Sequence, residues 1–296
     1  MKAAFFNETG GPEVIQVGSI AEPVIGEKDI LIGTRAVTVN PIDTYVRSGL
    51  ISFDVAAPIV PGCDAAGVVE AVGAQVDSFK PGDRVWCTNQ GLLGRQGTFA
   101  ERIGVPQKWC HHIPDGVSFE TAAANALVGI TAHLGLFREA QLEPAETVFV
   151  VGGTGGVGSM VLQMARAAGA TVITTARDPA RAAKAVELGA DHVIDYSSVD
   201  IHQQIKSLAP KGVNVYWETR RMPDFDQAIE ALAPKGRMVI MAGRDSRPEF
   251  PVGPFYVKEC SLHGFVMFKA TAIAGKKRIA RPAIFRIATG GAPSRN

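Results

Sequence analysis

From residue 147 onward the chain alternates short apolar runs with longer stretches at helical spacing. Thr147–Val151 is β-branched or aromatic throughout rather than at every second position, the pattern of a strand covered on both faces. The same reading continues through helix Gly158–Ala168, strand Thr171–Ala176, helix Pro179–Leu188, strand His192–Asp195 and helix Ile201–Leu208. Strand Val213–Glu218, helix Phe225–Ala233 and strand Arg237–Ala242 follow. Strands alternating with helices in this way predict right-handed βαβ units and a doubly wound parallel sheet, here placed at residues 119–260. Ahead of it, Ser118-x-x-Thr121 to Phe137 reads as one or two helices.

Residues 1–118 have a different texture. Short apolar runs (Ala3–Phe6, Asp29–Val39, Gly67–Val72, Arg84–Cys87) are separated by turn signals such as Gly10-Gly11-Pro12 and Lys80-Pro81-Gly82-Asp83. Such punctuation predicts a β-rich, barrel-like domain. The class is therefore α/β with two domains, and residues 261–296 are expected to return to the first.

The run at 147 breaks into five glycines within seven residues, Gly152 to Gly158. Gly153, Gly155 and Gly158 fit G-x-G-x-x-G between a strand and a helix. Glycines there allow a sharp turn, close approach of a pyrophosphate to the backbone, and tight helix packing, with the phosphates at a helix N-terminus. A plain glycine-rich turn is the other reading of the motif alone.

Composition narrows the partners. A hydrophobic content of 46% with 20% charged residues and a net charge of +1 is that of a globular protein, with no reason to expect nucleic acid or a membrane surface. Cys63, Cys87, Cys110 and Cys260 are scattered without a C-x-x-C pair, which favours reduced thiols over disulfides or structural zinc. No apolar stretch is long enough to span a membrane, and Asn7 and Glu8 interrupt any signal-peptide core, so a cytoplasmic location is expected. The tail from Cys260 to Asn296 carries seven Lys or Arg and no acid. It reads as a solvated, frayed terminus or as a basic binding tail.

Several separated motifs occur in an order that carries a resemblance. Asn40-Pro41-Ile42-Asp43-Thr44-Tyr45-Val46-Arg47-Ser48-Gly49, then Pro61-Gly62-Cys63-Asp64-x-x-Gly67-Val68-Val69, then Gly155-Gly156-Val157-Gly158-x4-Gln163-x2-Arg166 and Gly189-Ala190-Asp191-His192-Val193-Ile194-Asp195-Tyr196, stand in sequence. Over residues 1–270 the chain resembles the zinc-independent quinone oxidoreductases, the zeta-crystallin-like branch of the medium-chain dehydrogenase/reductase superfamily. Thr154 departs from that branch's usual small residue. The resemblance implies a GroES-like catalytic domain followed by a Rossmann NADP-binding domain, and a homodimer or homotetramer.

It also bears on metal. Zinc-dependent members of the superfamily carry ligands where this chain has Asn40, Cys63 and Leu127, and their structural zinc lobe has cysteines that Thr88–Phe99 lacks. One thiol with a neutral amide and an apolar side chain cannot make a three-ligand site, so no metal is expected. Cys63 reads instead as a small buried apolar residue. Without a Lewis acid, reversible alcohol oxidation fits poorly and reduction of an electrophilic acceptor fits well.

The choice of nicotinamide is expected at the end of the second Rossmann strand. NAD sites carry an acid there; by the family spacing this chain has Ala176, followed by Arg177. Arg177 can pair with a 2′-phosphate, and Arg181 and Tyr196 match positions lining the same pocket. The alternative is a solvated helix start, with Asp178 as a rival acid. The cofactor-binding set is thus Gly153, Gly155, Gly156, Val157, Gly158, Arg177, Arg181, Tyr196, Gly243 and Phe265, for NADP.

The resemblance assigns Asn40, Tyr45 and Thr131 to the catalytic cleft, opposite Gly243 and Phe265. Tyr45 can hydrogen-bond a carbonyl oxygen as charge develops, or be a core tyrosine; Thr131 can hold the nicotinamide, or bond back to its helix. Tyr216-Trp217-Glu218-Thr219-Arg220-Arg221 puts charges where the branch more often has a glycine-rich strand end. Past Thr271 the resemblance stops, as a truncation or shifted frame would produce. The expected function is NADPH-dependent reduction of quinones or α,β-unsaturated carbonyls. A non-catalytic nucleotide-binding protein and an enoyl-thioester reductase are the alternatives.

Overall fold

In the computed structural model, residues 1–51, 55–197 and 200–269 are described. The chain divides into two compact units, one over Met1–Leu127 and one from Val128 onward.

The first unit opens on a two-stranded antiparallel ribbon, β1 (Lys2–Phe5) with β2 (Gln16–Ser19). Its main sheet contains β3 (Asp29–Thr38), β4 (Asp64–Val72), β5 (Arg84–Cys87), β6 (Arg102–Pro106) and β7 (Cys110–His112), all antiparallel in the order β6-β3-β4-β5-β7. Helix α1 (Pro41–Arg47) lies between β3 and β4, and α2 (Phe119–Ala124) packs on β3 and β4. The core alternates in and out along the strands: Ile30, Ile32, Val69, Val85, Ile103 and Val105 are buried together. The β-rich texture of the sequence foretells this unit. It misses β2, β6, β7 and α1, which are short and carry no clean periodicity.

Helix α3 (Ala126–His133) runs into a π turn over Leu134–Glu139, closed by Ala140 N–H on the Gly135 carbonyl at 2.9 Å. The sheet of the second unit then builds up: β8 (Thr147–Val150), α4 (Gly156–Ala167), β9 (Thr171–Ala176), α5 (Pro179–Glu187), β10 (His192–Asp195), α6 (Ile201–Leu208), β11 (Val213–Glu218), α7 (Phe225–Ala231), β12 (Leu232–Ile240), α8 (Val252–Val257) and β13 (Ser261–Gly264). All six strands are parallel in the order β10-β9-β8-β11-β12-β13, the doubly wound Rossmann order. Val148, Phe149 and Val150 are fully buried, as their unbroken apolar run requires.

Two elements differ from expectation. β12 begins at Leu232 rather than Arg237, because a bulge around Lys235 (φ 62°) lets Leu232 pair with Val213 before Arg237 pairs with Val215. Residues 261–264, expected to return to the first domain, instead pair with β12 as β13 and cover its free edge. The stretch from residue 270, including the atypical tail, lies outside the described residues. Among the described residues no helix is long and apolar enough to cross a membrane.

Candidate active site

The strand order reverses between β8 and β11, and the loop leaving β8 carries the glycines. Gly152 turns the chain with φ +71°, and Gly155 N–H closes the turn on the Gly152 carbonyl at 3.0 Å. A methyl at Gly158 would be driven into the Gly152 carbonyl oxygen and would stand 2.9 Å from Gly153 Cα. Gly153 N–H donates to Thr174 Oγ1 at 3.1 Å, and that hydroxyl donates to the Val150 carbonyl at 2.7 Å, which fixes the loop to β9. Helix α4 starts with Gly155 as N-cap and no side-chain cap, and its first helical bond is Ser159 N–H to the Gly155 carbonyl. The N–H groups of Gly156, Val157 and Gly158 therefore have no acceptor within the helix, and Gly155 and Gly156 are exposed. A pyrophosphate fits this cradle.

Arg177 follows the last residue of β9, with Arg181 one turn into α5; both are exposed. Asp178 is the N-cap of α5: its Oδ1 accepts from Arg181 N–H at 2.8 Å, and its Oδ2 lies 3.4 Å from Arg181 Nε and 3.9 Å from Arg177 Nε. The rival acid is thus engaged with the helix start. Tyr196 is exposed beside Arg177, its N–H bonded to the Ala176 carbonyl at 3.3 Å.

Gly243 lies past β12 with φ +84°, where a side chain would collide with the Arg221 backbone. Phe265 directly follows β13 and meets Trp217 edge-on, with centroids 6.4 Å apart; the Arg138 guanidinium stands 5.9 Å from its ring. Gly135 in the π turn leaves room for both rings. The charged strand end at Glu218 is folded on itself: the buried Glu218 carboxylate accepts from Arg220 Nε, Nη2 and backbone N–H at 2.7–3.1 Å. The glycine loop, Arg177, Tyr196 and Gly243 all lie at the carboxyl ends of the strands, while Thr131 is buried in α3 of the same unit.

Asn40 and Tyr45 belong to the first unit. Asn40 caps α1, its N–H donating to Asp43 Oδ2 at 2.7 Å; Tyr45 is half-buried on that helix, and Arg47 donates to the Gly10 carbonyl at 3.2 Å. The Asn40 side chain is buried, and its Nδ2 donates to Asp64 Oδ2 at 2.8 Å. Asp64, Asp43 and Thr88 are the residues that the sequence reading passed over. Asn-Pro-x-Asp is a helix-start signature that would have found Asp43, and an acid within the apolar run around β4 would have flagged Asp64.

Burial pushes the Asp64 carboxyl up to about 7 and that of Asp43 to about 6 from the ordinary 3.8, against donors that pull both down. Each therefore holds a proton in the folded chain at pH values where the unfolded chain has released it. Stability from these groups is complete below about pH 4 and is lost as pH rises through 6 and 7, at up to about 1.4 kcal/mol per pH unit per group. Denaturant midpoints of the native chain are expected to fall more steeply between about pH 4 and pH 6 than those of Asp43→Asn. Equal slopes would contradict this.

The three positions at which zinc-dependent members carry ligands are filled and engaged differently here. Asn40 is committed to Asp64; the Cys63 thiol, pushed up by burial and by Asp43, is hydrogen-bonded to Asp43. Leu127 offers no side-chain donor, and among the described residues no three His, Cys, Asp or Glu side chains are grouped to hold a metal ion.

Comparison with known proteins agrees with this architecture. The family described as "Alcohol dehydrogenase GroES-like domain" matches residues 26–115, and that described as "Zinc-binding dehydrogenase" matches residues 156–279. The quinone oxidoreductase of Lama guanicoe is 33% identical across 92% of this chain and 81% of its own length, and that of Homo sapiens is 32% identical across 92% and 82%. The crystal structure of Escherichia coli quinone oxidoreductase complexed with NADPH aligns with a TM-score of 0.78 at 27% identity, over 97% of this chain and 86% of that one. By sequence and by fold, this chain belongs to the medium-chain dehydrogenase/reductase superfamily, in its quinone oxidoreductase branch.

Proposed function

We propose that the chain is an NADPH-dependent enzyme that reduces quinones or α,β-unsaturated carbonyl compounds without zinc. The observation that carries this reading is the pairing of the glycine cradle at α4 with two exposed arginines past β9, where an NAD site would have a free acid. The E. coli relative solved with NADPH supports the same cofactor. One of the matching families is named for zinc, but the donor set around Asn40, Cys63 and Leu127 does not supply three ligands.

NADPH bound in this cradle supplies a hydride to an electron-poor acceptor. The chain's own residues bind and orient. Gly153, Gly155, Gly156, Val157 and Gly158 hold the pyrophosphate, and Arg177, Arg181 and Tyr196 take the 2′-phosphate. Gly243 and Phe265 line the nicotinamide end, while Asn40, Tyr45 and Thr131 touch the reacting groups. A quinone or enone already carries the electrophilic carbon that zinc would otherwise have to create, so positioning and exclusion of water suffice. The reading includes a homodimer or homotetramer acting in the cytoplasm, in line with four free cysteines.

The test is NADPH oxidation with a quinone and with an enal, beside alcohol oxidation with NADP. Turnover of either acceptor with negligible alcohol oxidation is expected. NADPH binding without turnover would favour a non-catalytic nucleotide-binding protein.

A further inference from the structure

Asp64 is 1% exposed, and its carboxylate accepts three hydrogen bonds from three distant stretches of chain. Asn40 Nδ2, ahead of α1, lies at 2.8 Å; Thr88 Oγ1, past β5, at 2.5 Å; Leu127 N–H, in α3, at 3.2 Å. Asn40 and Leu127 are two of the three positions at which zinc-dependent members of the superfamily carry ligands. Here a buried carboxyl group gathers donors at the place where, in those enzymes, a metal gathers its ligands. Asn40 faces Asp64 Oδ2 with its amide nitrogen, the end of the carboxamide that donates. The contact therefore decides which way that carboxamide points, and a buried hydrogen bond holds it there. The amide nitrogen carries a second hydrogen that Asp64 Oδ2 does not take.

We propose that Asp64 is a positioning residue for Asn40: it takes one amide hydrogen and so aims the other at the carbonyl oxygen of the acceptor. This rests on the reading of Asn40 as part of the active site. A carbonyl oxygen gains negative charge as its conjugated system is reduced, and a preset N–H donor stabilises that charge without reorganising. Thr88 and Leu127 complete the hold on Asp64, so that the carboxylate does not swing with the amide.

Two variants and one spectroscopic measurement test this. In Asp64→Asn the facing group becomes an amide, and Asn40 can turn its oxygen toward it. The expected result is a kcat lower by about 100-fold, with the NADPH Kd unchanged because the cradle lies in the other unit. The exchanged pair Asn40→Asp with Asp64→Asn restores the hydrogen bond but leaves no amide hydrogen at position 40. It should regain thermal stability and remain slow. Independently of activity, one side-chain amide proton of Asn40 should resonate far downfield in nucleotide-free native protein, with the signal assigned by its loss in Asn40→Ala, and should return to an ordinary position in Asp64→Asn. Native kcat in Asp64→Asn, recovery of kcat by the exchanged pair, or an amide pair unaltered by the substitution would overturn the proposal. If Asp64→Asn does not fold, the exchanged pair and the native amide spectrum decide. If native protein turns over neither acceptor, the function reading fails, and the amide spectrum alone judges Asp64.

Discussion

Gly158→Ala is expected to lower NADPH affinity by about 100-fold or more and to lower the thermal midpoint measurably. The added methyl would meet backbone on two sides, the Gly152 carbonyl oxygen and Gly153 Cα, and neither is the flexible end of a side chain. Relief requires α4 to move away from the loop, and that movement displaces the N–H groups of Gly156, Val157 and Gly158 that are proposed to receive the phosphates. Overpacking of this kind costs about 1–3 kcal/mol in a core, and here the strain falls on the binding geometry itself. Gly156→Ala is the control. Its methyl would meet only Val128 Cγ1, at 3.3 Å, so it should keep most of the stability. Fluorescence titration with NADPH and thermal unfolding of both variants measure the difference. Native affinity in Gly158→Ala would mean that the cofactor does not use this cradle.

Arg177→Ala is expected to weaken NADPH binding by about 10–100-fold and to leave NADH binding nearly unchanged. A charge-assisted hydrogen bond is worth about 1.5–3 kcal/mol, and only NADPH has the 2′-phosphate to receive one. The ion pairs of Arg177 and Arg181 with Asp178 are exposed and weak, so either guanidinium can turn from Asp178 to a phosphate at little cost. Asp178 itself stays bound to the start of α5. Removing both arginines should abolish the preference for NADPH, and added salt should weaken NADPH binding more than NADH binding. Equal losses for both nucleotides would show that Arg177 supports the fold rather than the phosphate.

The second unit was readable because its central strands are covered on both faces and α5, α6 and α7 each start on a capping aspartate. β9, β10, β11 and α6 fall where their apolar runs and flanking breakers place them. β12 was harder, because Pro234-Lys235-Gly236 reads as a break, whereas the sheet absorbs it as a bulge. The glycine turn was legible for a related reason: the motif is local, and each glycine answers to neighbours a few residues away or on the next strand. The Asp64 knot was not. Its partners stand 24, 24 and 63 residues away, and only the antiparallel sheet and α3 bring them to one carboxylate. The resemblance pointed to Asn40, but it could not say what holds Asn40 in place.

Hydride transfer from NADPH to an electron-poor acceptor in this chain is expected to need no metal. The decisive experiment is rapid mixing of exhaustively chelator-treated protein, loaded with NADPH, against a quinone. One NADPH should be consumed per quinone reduced, at a rate that chelation does not lower and added zinc does not raise. NADPH left bound but unconsumed would rule out hydride transfer to this acceptor, and consumption only once zinc is restored would show that the reaction needs a metal.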